Sequence, residues 1–132
     1  MISYTDSLAN VTSEHLRGGF FAGWPNPPSP ITHYQILANS SAIVLARIED
    51  ETVVGFITAV SDRVSCAYIP HLEVLPAFQS QGIGSELMRR MLQKLRHLYM
   101  VDLVCDPPLQ AFYERFGMRA VVGMVVRNYD RR

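Results

Sequence analysis

The feature that most constrains the fold is a long amphipathic segment that directly follows three apolar runs of strand length. Between Gln81 and Leu98, apolar residues recur every three or four positions and arginines occupy much of the other side, which predicts a helix. The runs before it span residues 42–48, 52–60 and 66–75 and are separated by polar turns. Strands that are joined by short turns pair antiparallel. The centre of the chain is therefore predicted to be an antiparallel sheet that carries a helix.

Further elements are predicted before this central block. Residues 2–5 form a short strand, and Thr12 opens a helix. Half of the eight prolines lie between positions 25 and 30, where fixed φ angles and missing donors predict a stiff loop. Ser29 then supplies a cap for a helix that starts at Pro30 and runs through Leu37.

After the long helix, the pattern alternates again between strand and helix. Residues 100–105 form a short predicted strand, a helix runs from Pro108 to Gly117, and residues 121–126 form a last strand. Antiparallel strands followed by a strand–helix–strand crossover predict the α/β (α+β) class. Its sheet is mixed and mostly antiparallel, with helices packed on both faces.

Length and charge narrow the classes of function. The 132 residues fit one domain over 1–132, and a hydrophobic content of 48% supplies its core. Twelve Lys and Arg balance twelve Asp and Glu, so no net field attracts nucleic acid or an anionic membrane. No apolar run reaches the roughly 18 residues of a membrane span. The first residues lack the basic start and apolar stretch of a signal peptide, so a cytoplasmic protein is expected.

Cysteine and histidine are dispersed along the chain. Cys66 and Cys105 show no Cys-x-x-Cys spacing, and the four histidines show no metal-ligand pairing. A disulfide framework is not indicated, and both cysteines are predicted to be small core residues. No metal is expected.

Two glycines at the amino end of the long predicted helix need an explanation. Gly favours the carboxyl end of helices and costs about 1 kcal/mol relative to Ala within one. At Gly82 and Gly84, the missing Cβ atoms would let a polyphosphate approach the free N–H groups of the first turn. The chain lacks the Gly-Lys-Ser/Thr of a P-loop, and Leu87 stands where a Rossmann turn needs its third glycine. Close helix–sheet packing is the alternative reason for both glycines.

The segment from Gln79 to Gly84, Gln-Ser-Gln-Gly-Ile-Gly, resembles the pyrophosphate loop of the GNAT superfamily of acetyl-CoA-dependent N-acetyltransferases. A strand that ends Leu-x-Val-x-Pro at Pro76 lies upstream, and Phe112-Tyr-Glu-Arg-Phe-Gly-Met downstream is similar to a second sequence block of that family. The resemblance covers residues 72–118. It implies a sheet with a central splayed parallel strand pair and acetyl-CoA as the cosubstrate. It also implies direct attack by a primary amine of a small molecule or peptide in a ternary complex.

The resemblance also implies roles for individual residues. N–H groups of the loop hold the CoA pyrophosphate, and an N–H at or next to Val74 stabilises the oxyanion. Tyr113 protonates the departing thiolate. The implied cofactor-binding residues are Leu72, Val74, Gln79, Ser80, Gln81, Gly82, Ile83, Gly84, Ser85 and Asp106. Gln79 and Ser80 stand where relatives often carry Arg, and Asp106 where they often carry Asn, so weaker cofactor binding is expected.

The general base is left open between Glu73 and His71, which alternation places on one face of their strand. Either residue needs a bulge or a water chain to reach the amine. Both also have structural alternatives, since Glu73 could be a solvated or ion-paired carboxylate and His71 a hydrogen-bonded histidine. Tyr113 could likewise be a core aromatic. Cys105 has no activating neighbour in the sequence, so no covalent acetyl-enzyme is expected.

The acceptor site is predicted near the stiff loop. Four aromatic residues beside the stiff loop are candidate contacts for an acceptor with an apolar part, with core packing as the alternative: Phe20, Phe21, Trp24 and Tyr34. The run at 121–126 is apolar enough to pair across a homodimer. The alternative function is a catalytically silent acyl-CoA-binding module or sensor. A different acyl donor or a hydroxyl acceptor is a more distant alternative.

Overall fold

The computed structural model describes residues 1–131, and its centre is a five-stranded sheet. In their order across the sheet, the strands are β1 (Ser3–Thr5), β2 (Ala42–Arg47), β3 (Val53–Ser61), β4 (Cys66–Val74) and β5 (Met100–Asp102). Neighbours from β1 to β4 pair antiparallel, whereas β4 and β5 pair parallel. The predicted α/β (α+β) class with a mixed, mostly antiparallel sheet is confirmed.

The helices of residues 1–131 are α1 (Pro30–Asn39), α2 (Ile83–Lys94) and α3 (Gln110–Glu114). Short 3-10 turns occupy Ser13–Leu16, Pro76–Phe78 and Pro107–Leu109. α1 begins as predicted, because Ser29 Oγ accepts a hydrogen bond from Thr32 N at 3.1 Å and Pro30 is the first helical residue. Its cap and first turn can therefore be read directly from the sequence.

Alternation along β3 gives the sheet two covered faces. Gly55 faces α2, because a Cβ built there would lie 3.2 Å from Leu87 Cδ1. The next residue, Phe56, points the other way and packs edge-on against Phe20, with 5.2 Å between ring centroids. α2 therefore covers one face, and α1 with the Ser13–Leu16 turn covers the other.

Three predicted elements are clearly shorter in the structure. The helix predicted from Pro108 to Gly117 is α3, which spans only Gln110–Glu114 and follows the Pro107–Leu109 turn. The helix predicted from Thr12 is a single 3-10 turn, because Gly18 and Gly19 follow directly and Gly19 has a left-handed φ of +101°. β5 ends at Asp102 instead of residue 105, since it pairs with β4 over only three residues.

The prediction of a last strand at 121–126 is wrong for the described chain. A strand needs a neighbour to complete its ladder, and among residues 1–131 this segment pairs with none. The parallel pair β4–β5 consequently lies at the edge of the described sheet.

Two negative findings apply to residues 1–131. No helix there combines the length and the apolar character needed to cross a membrane. Nor does that part of the chain contain a group of three or more His, Cys, Asp or Glu side chains placed to hold a metal ion.

Candidate functional site

The loop from β4 to α2 turns the chain sharply onto the helix. Leu75 N donates to Val54 O at 2.9 Å and so ties the end of β4 to β3. After the Pro76–Phe78 turn, Ser80 has a φ of +64°. Gly82, the N-cap of α2, has a φ of +82°, a left-handed conformation that Gly adopts without steric cost. Exposed at this end of α2 are Gln79, Ser80, Gln81 and Gly82.

The first turn of α2 offers free backbone donors. The first intrahelical bond runs from Glu86 N to Gly82 O at 3.0 Å. The amides of Ile83, Gly84 and Ser85 precede that donor and have no acceptor within the helix. These N–H groups and the helix dipole favour an anion at this end. The predicted loop 79–85 thus lies at a helix terminus whose free donors suit an anion.

The backbone conformation calls for glycine at Gly82 but not at Gly84. A Cβ built at Gly82 meets nothing within 4 Å, so the left-handed φ is what calls for glycine there. A Cβ at Gly84 would make ordinary contacts, 3.8 Å from Val74 Cγ2 and 3.9 Å from Phe112 Cζ. The glycine that permits close helix–sheet packing is Gly55. Such packing therefore explains neither Gly82 nor Gly84.

A cation reaches this end of α2 from α3. Arg115, the C-cap of α3, donates from Nη2 to Ser85 Oγ at 3.1 Å. Its guanidinium lies 5.4 Å from the centroid of the Phe112 ring and 5.7 Å from that of Phe116. Arg115 escaped prediction because it lies thirty residues from Ser85 in sequence. The only sequence signal was its place in the Phe112–Met118 block.

The side chain of Gln79 links the loop to the end of β4 by a hydrogen bond. Its Nε2 donates to Val74 O at 2.9 Å, so this side-chain amide is engaged within the protein. Val74 is the residue at or next to which the oxyanion donor is predicted. Gln79 therefore fixes the backbone from which that donor would act.

β4 and β5 separate before they reach the loop. Their paired residues are Cys66 with Met100, Ala67 with Val101 and Tyr68 with Asp102. From His71 to Val74, β4 pairs with β3 but has no β5 partner. The β3–β4 register shifts opposite Ala59, where Pro70 sits, which fits a bulge at a residue without an N–H. The predicted splay is present, and it leaves one backbone edge of Leu72 and Val74 without a strand neighbour.

Tyr113 lies half-buried on α3. Burial raises the pKa of its phenol, and the neighbouring Cys105 raises it further. The phenol therefore stays protonated at neutral pH and is able to donate. Its ring packs edge-on against Phe112 at 5.0 Å between centroids. Asp106 opens the turn before α3, where its carbonyl accepts from Leu109 N at 2.9 Å.

Glu73 is a half-buried carboxylate that is held by one backbone donor. Its Oε1 accepts a hydrogen bond from Phe21 N at 3.0 Å. Its Oε2 is buried and has no hydrogen-bond partner among residues 1–131, and the ion pairs of that part of the chain do not include Glu73. Burial raises the pKa of the carboxyl, and the Phe21 N–H opposes that rise. An oxygen with these properties is suited to accept a proton.

The Phe21 backbone is strained where it holds Glu73. Its φ of +64° lies in the left-handed region, which costs a residue with a Cβ about 1 kcal/mol or more. The ring is only 1% exposed and packs against Trp24 at 4.9 Å and His33 at 5.0 Å between centroids. Burial of the ring thus maintains the backbone conformation that directs the N–H to the carboxylate.

His71 and His33 belong to the same aromatic cluster but differ in their environment. His71 Nδ1 lies 2.9 Å from Thr58 Oγ1, and its ring lies 6.0 Å from that of Trp24. His33 is 1% exposed, and its Nε2 has no partner within residues 1–131. Desolvation, with a smaller effect of His71, lowers the pKa of His33 to about 4, so it is neutral at pH 7. The Thr58 contact agrees with the structural alternative for His71.

The side chains of the four predicted acceptor contacts differ in how exposed they are. Phe20 and Phe21 are core residues, Tyr34 is partly buried, and Trp24 is 38% exposed. A cavity of about 210 Å³ adjoins Phe20, Phe21 and His33 beneath the proline-rich loop. Another cavity, of about 610 Å³, lies between β1 and α2 and includes none of the predicted site residues.

Known proteins resemble this chain in sequence and fold. A model of the acetyltransferase (GNAT) family matches residues 10–118. An acetyltransferase structure from Deinococcus radiodurans R1 is 49% identical, covering 98% of this chain and 90% of that chain, with a TM-score of 0.94. A GNAT family acetyltransferase from Streptococcus pneumoniae TIGR4 is 30% identical, covering 97% of this chain and 98% of that chain, with a TM-score of 0.74.

A curated relative extends beyond the matched region. The uncharacterised N-acetyltransferase ycf52 of Pyropia yezoensis is 28% identical over 101 residues, which are 72% of this chain and 57% of that protein. This chain thus matches little more than half the length of that relative.

Proposed function

This chain belongs to the GNAT family of acetyltransferases, and we propose that it transfers the acetyl group of acetyl-CoA to a primary amine of a small molecule or peptide. Members of the family use acetyl-CoA. The observation that carries the proposal is the amino end of α2. There an exposed left-handed Gly82 precedes three amides without helical acceptors, beside the guanidinium of Arg115.

The chemistry of this helix end fits the diphosphate of coenzyme A. Amides of the first turn of α2 donate to phosphate oxygens, and the helix dipole adds a favourable charge interaction. Arg115 supplies the positive charge that Gln79 and Ser80 do not, and its contact with Ser85 places it at the same turn. Asp106 carries no cation partner in the ion pairs of residues 1–131, so its carboxylate charge is not neutralised and would oppose a phosphate bound beside it.

Glu73 and Tyr113 are assigned the two proton transfers. Glu73 Oε2 accepts the proton that the attacking amine loses, and the raised pKa of the carboxyl supports that role. Tyr113 gives a proton to the leaving thiolate as the carbon–sulfur bond breaks, which its protonated phenol permits. A backbone N–H at or next to Val74 donates to the thioester carbonyl oxygen. Acetyl-CoA supplies the acetyl group, and the amine takes it directly.

The surroundings of Glu73 indicate the class of acceptor. The Phe21 N–H that holds the carboxylate belongs to a cluster in which the rings of Phe21, Trp24 and His71 lie together, so an aromatic surface adjoins the residue that binds Glu73. A buried carboxylate oxygen without a partner favours a cationic or hydrogen-donating group. An amine attached to an aromatic or aliphatic body combines both properties, and Trp24 is the exposed ring that such a body would contact.

Calorimetric titration with acetyl-CoA tests the cofactor part of the proposal. Gly82→Leu is expected to weaken binding at least about ten-fold, because it puts a side chain before the free amides and opposes the left-handed φ. Gly19→Leu is the matched control, since Gly19 has a φ of +101° and equally open space but lies away from α2. Equal affinity of wild type and Gly82→Leu, or no binding by wild type, contradicts the proposal.

A thiol-release assay over a panel of primary amines tests the transfer itself. Release of free coenzyme A with an aromatic or aliphatic amine supports an N-acetyltransferase. Tight acetyl-CoA binding without release for any amine supports the silent acyl-CoA-binding module instead.

A further inference from the structure

The register of the sheet fixes the face on which Glu73 lies. Glu73 of β4 is the cross-strand partner of Phe56 of β3, and His71 is that of Thr58. The Phe56 ring packs against α1, since its centroid lies 4.3 Å from that of His33. Cross-strand partners project from the same face of a sheet. Glu73 and His71 therefore both lie on the face that α1 covers, here called the α1 face.

The bulge in β4 brings Tyr68 to the α1 face as well. Between His71 and Tyr68, β4 has two residues where β3 has only Ala59. Along β3, Thr58 and Val60 are two residues apart, so their side chains point to the same face. Tyr68 is the partner of Val60, and its side chain therefore shares that face. In a strand without the bulge, strict alternation would have turned Tyr68 to the face of α2.

Asp102 of β5 lies beside Tyr68 on this face. The two residues are partners in the parallel pairing of β4 with β5, and neighbouring strands are about 5 Å apart. The side chains of Val60, Tyr68, Met100 and Asp102 are all exposed. The Asp102 carboxylate belongs to none of the ion pairs of residues 1–131. A carboxylate beside an exposed tyrosine ring suits a cation, because both groups attract positive charge.

Aromatic rings line the α1 face between Asp102 and Glu73. The partly exposed ring of Trp24 lies 6.0 Å from that of His71, and Tyr68 comes next along β4 on the same face. Tyr68 and Glu73 are five residues apart, which corresponds to about 15 Å along a strand. The α1 face thus has a carboxylate at each end of a row of rings.

We propose that the acceptor is a long linear diamine or polyamine, whose distal ammonium binds at Asp102 and Tyr68 while the amino group at its other end is acetylated beside Glu73. This inference rests on the proposed N-acetyltransferase function and specifies the substrate class. The methylene chain of the acceptor packs over the rings of Trp24 and His71 and so removes apolar surface from water.

The two ends of the acceptor have different roles. The reacting nitrogen attacks as the neutral amine, forms the nitrogen–carbon bond as the carbon–sulfur bond breaks, and loses one proton to Glu73. The thiolate takes one proton from Tyr113. The distal ammonium keeps its charge throughout and supplies binding energy at Asp102, so the enzyme distinguishes acceptors by a group that does not react.

Steady-state thiol release by the whole chain tests the substrate class. α,ω-Diaminoalkanes of increasing length, and spermine, are compared with alkylamines of the same chain length. For diamines long enough to span about 15 Å, kcat/KM is expected to exceed that of the matched monoamine at least about ten-fold. Short diamines do not reach Asp102, so their second amino group is expected to bring no gain.

Substitutions at Asp102 test the distal contact. In Asp102→Asn, the ratio of kcat/KM for a long diamine to that for its monoamine is expected to fall about ten-fold, mainly through a higher KM for the diamine. Asp102→Lys reverses the charge, so an ω-aminocarboxylate of the same length is expected to become a better acceptor than the diamine. Asp50→Asn makes the matched change in the β2–β3 turn, at the other end of β3 from Val60, and is expected to keep the wild-type ratio.

The outcomes separate this inference from the proposed function. Long diamines and polyamines that are no faster than matched monoamines, or an unchanged ratio in Asp102→Asn, overturn the inference and leave the N-acetyltransferase in place. Turnover of a lysine-containing peptide but of no diamine also overturns it. If no amine releases the thiol, both the inference and the proposed function are wrong.

Discussion

Glu73 combines a fixed oxygen with a buried oxygen that has no partner among the described residues. Burial disfavours the ionised carboxylate, which is why its pKa is raised. A carboxyl whose pKa is higher in the folded than in the unfolded state adds stability below the unfolded pKa. That contribution is lost as the pH rises through the raised value. At neutral pH the ionised Glu73 carboxylate therefore lowers the stability of the folded protein, and the proposed reaction requires that charge.

Replacing Glu73 with Gln should separate activity from stability. The Gln side chain keeps an oxygen for the Phe21 N–H but cannot accept a proton, so we expect turnover to fall about 100-fold or more. The thermal midpoint at pH 8 should rise, because no charge is buried. For wild type, kcat/KM should increase with pH through the raised pKa of Glu73. Thiol-release rates and melting curves from pH 5 to pH 8 measure these effects.

Two further variants identify the base. Glu114→Gln changes an exposed carboxyl of α3 and should alter neither rate nor midpoint. His71→Asn removes the other candidate. Loss of turnover in His71→Asn with full activity in Glu73→Gln would assign the base to His71.

Tyr113→Phe should lower kcat by about 100-fold, because it removes the phenol proton and keeps the ring. Its acetyl-CoA dissociation constant should stay within about two-fold of wild type, since proton donation to the thiolate is not a binding interaction. Calorimetry and steady-state rates check the two quantities separately. Cys105→Ala should retain turnover. A folded Cys105→Ala protein without activity would indicate a covalent acetyl-cysteine and refute direct transfer.

The residues predicted from sequence are those whose signal is local. The glycines and the loop 79–85 stand in one short run, and the chemistry of a helix end follows from it. Arg115 and His33 escaped prediction because their roles depend on contacts with residues far away in sequence. The strained backbone of Phe21 has no local signal either, since aromatic residues rarely adopt positive φ.

At the scale of elements, the contact between α2 and the sheet depends on one missing Cβ. Gly55 lies where α2 crosses β3, and a Cβ there would be 3.2 Å from Glu73 O and 3.2 Å from Leu87 Cδ1. The first neighbour is backbone and cannot rotate away. The helix can approach this closely only because position 55 is glycine.

Gly55→Ala should therefore destabilise the protein by about 1–3 kcal/mol, the usual cost of overpacking a core. Denaturant unfolding followed by circular dichroism measures the change. Gly123→Ala adds the same atom where nothing lies within 4 Å, so it should leave stability unchanged. A Gly55→Ala protein as stable as wild type would mean that α2 can shift outward without cost.

The elements predicted correctly are those whose own residues show the apolar pattern of a strand or a helix. β2, β3, β4, α1 and α2 all lie within the predicted segments or close to them. β2 and β3 were predicted from continuous apolar runs of strand length, and α2 from apolar residues at helical spacing. The run at 121–126 has strand composition as well, yet a strand also needs an edge to pair with. The helix predicted at Thr12 failed for a different reason, namely the two glycines that follow it.

At the scale of the whole molecule, the candidate site is assembled around the end of β4. Gly84 lies near both Val74 and Phe112, Arg115 reaches Ser85, and Phe21 reaches Glu73. These contacts join segments from near position 20 to near position 115. The sequence predicted the pieces and, through family resemblance, their order. Their juxtaposition follows only from the folded sheet, which brings the segments together.

The hydrogen bond that holds Glu73 comes from the main chain of Phe21. A peptide N–H is present whatever residue occupies a position, provided that the backbone keeps its course. Exposed side chains around Trp24 can therefore be substituted during evolution without loss of the hydrogen bond that holds the Glu73 carboxylate. In the proposed enzyme, the set of accepted amines can therefore change while the proposed base, Glu73, stays in place.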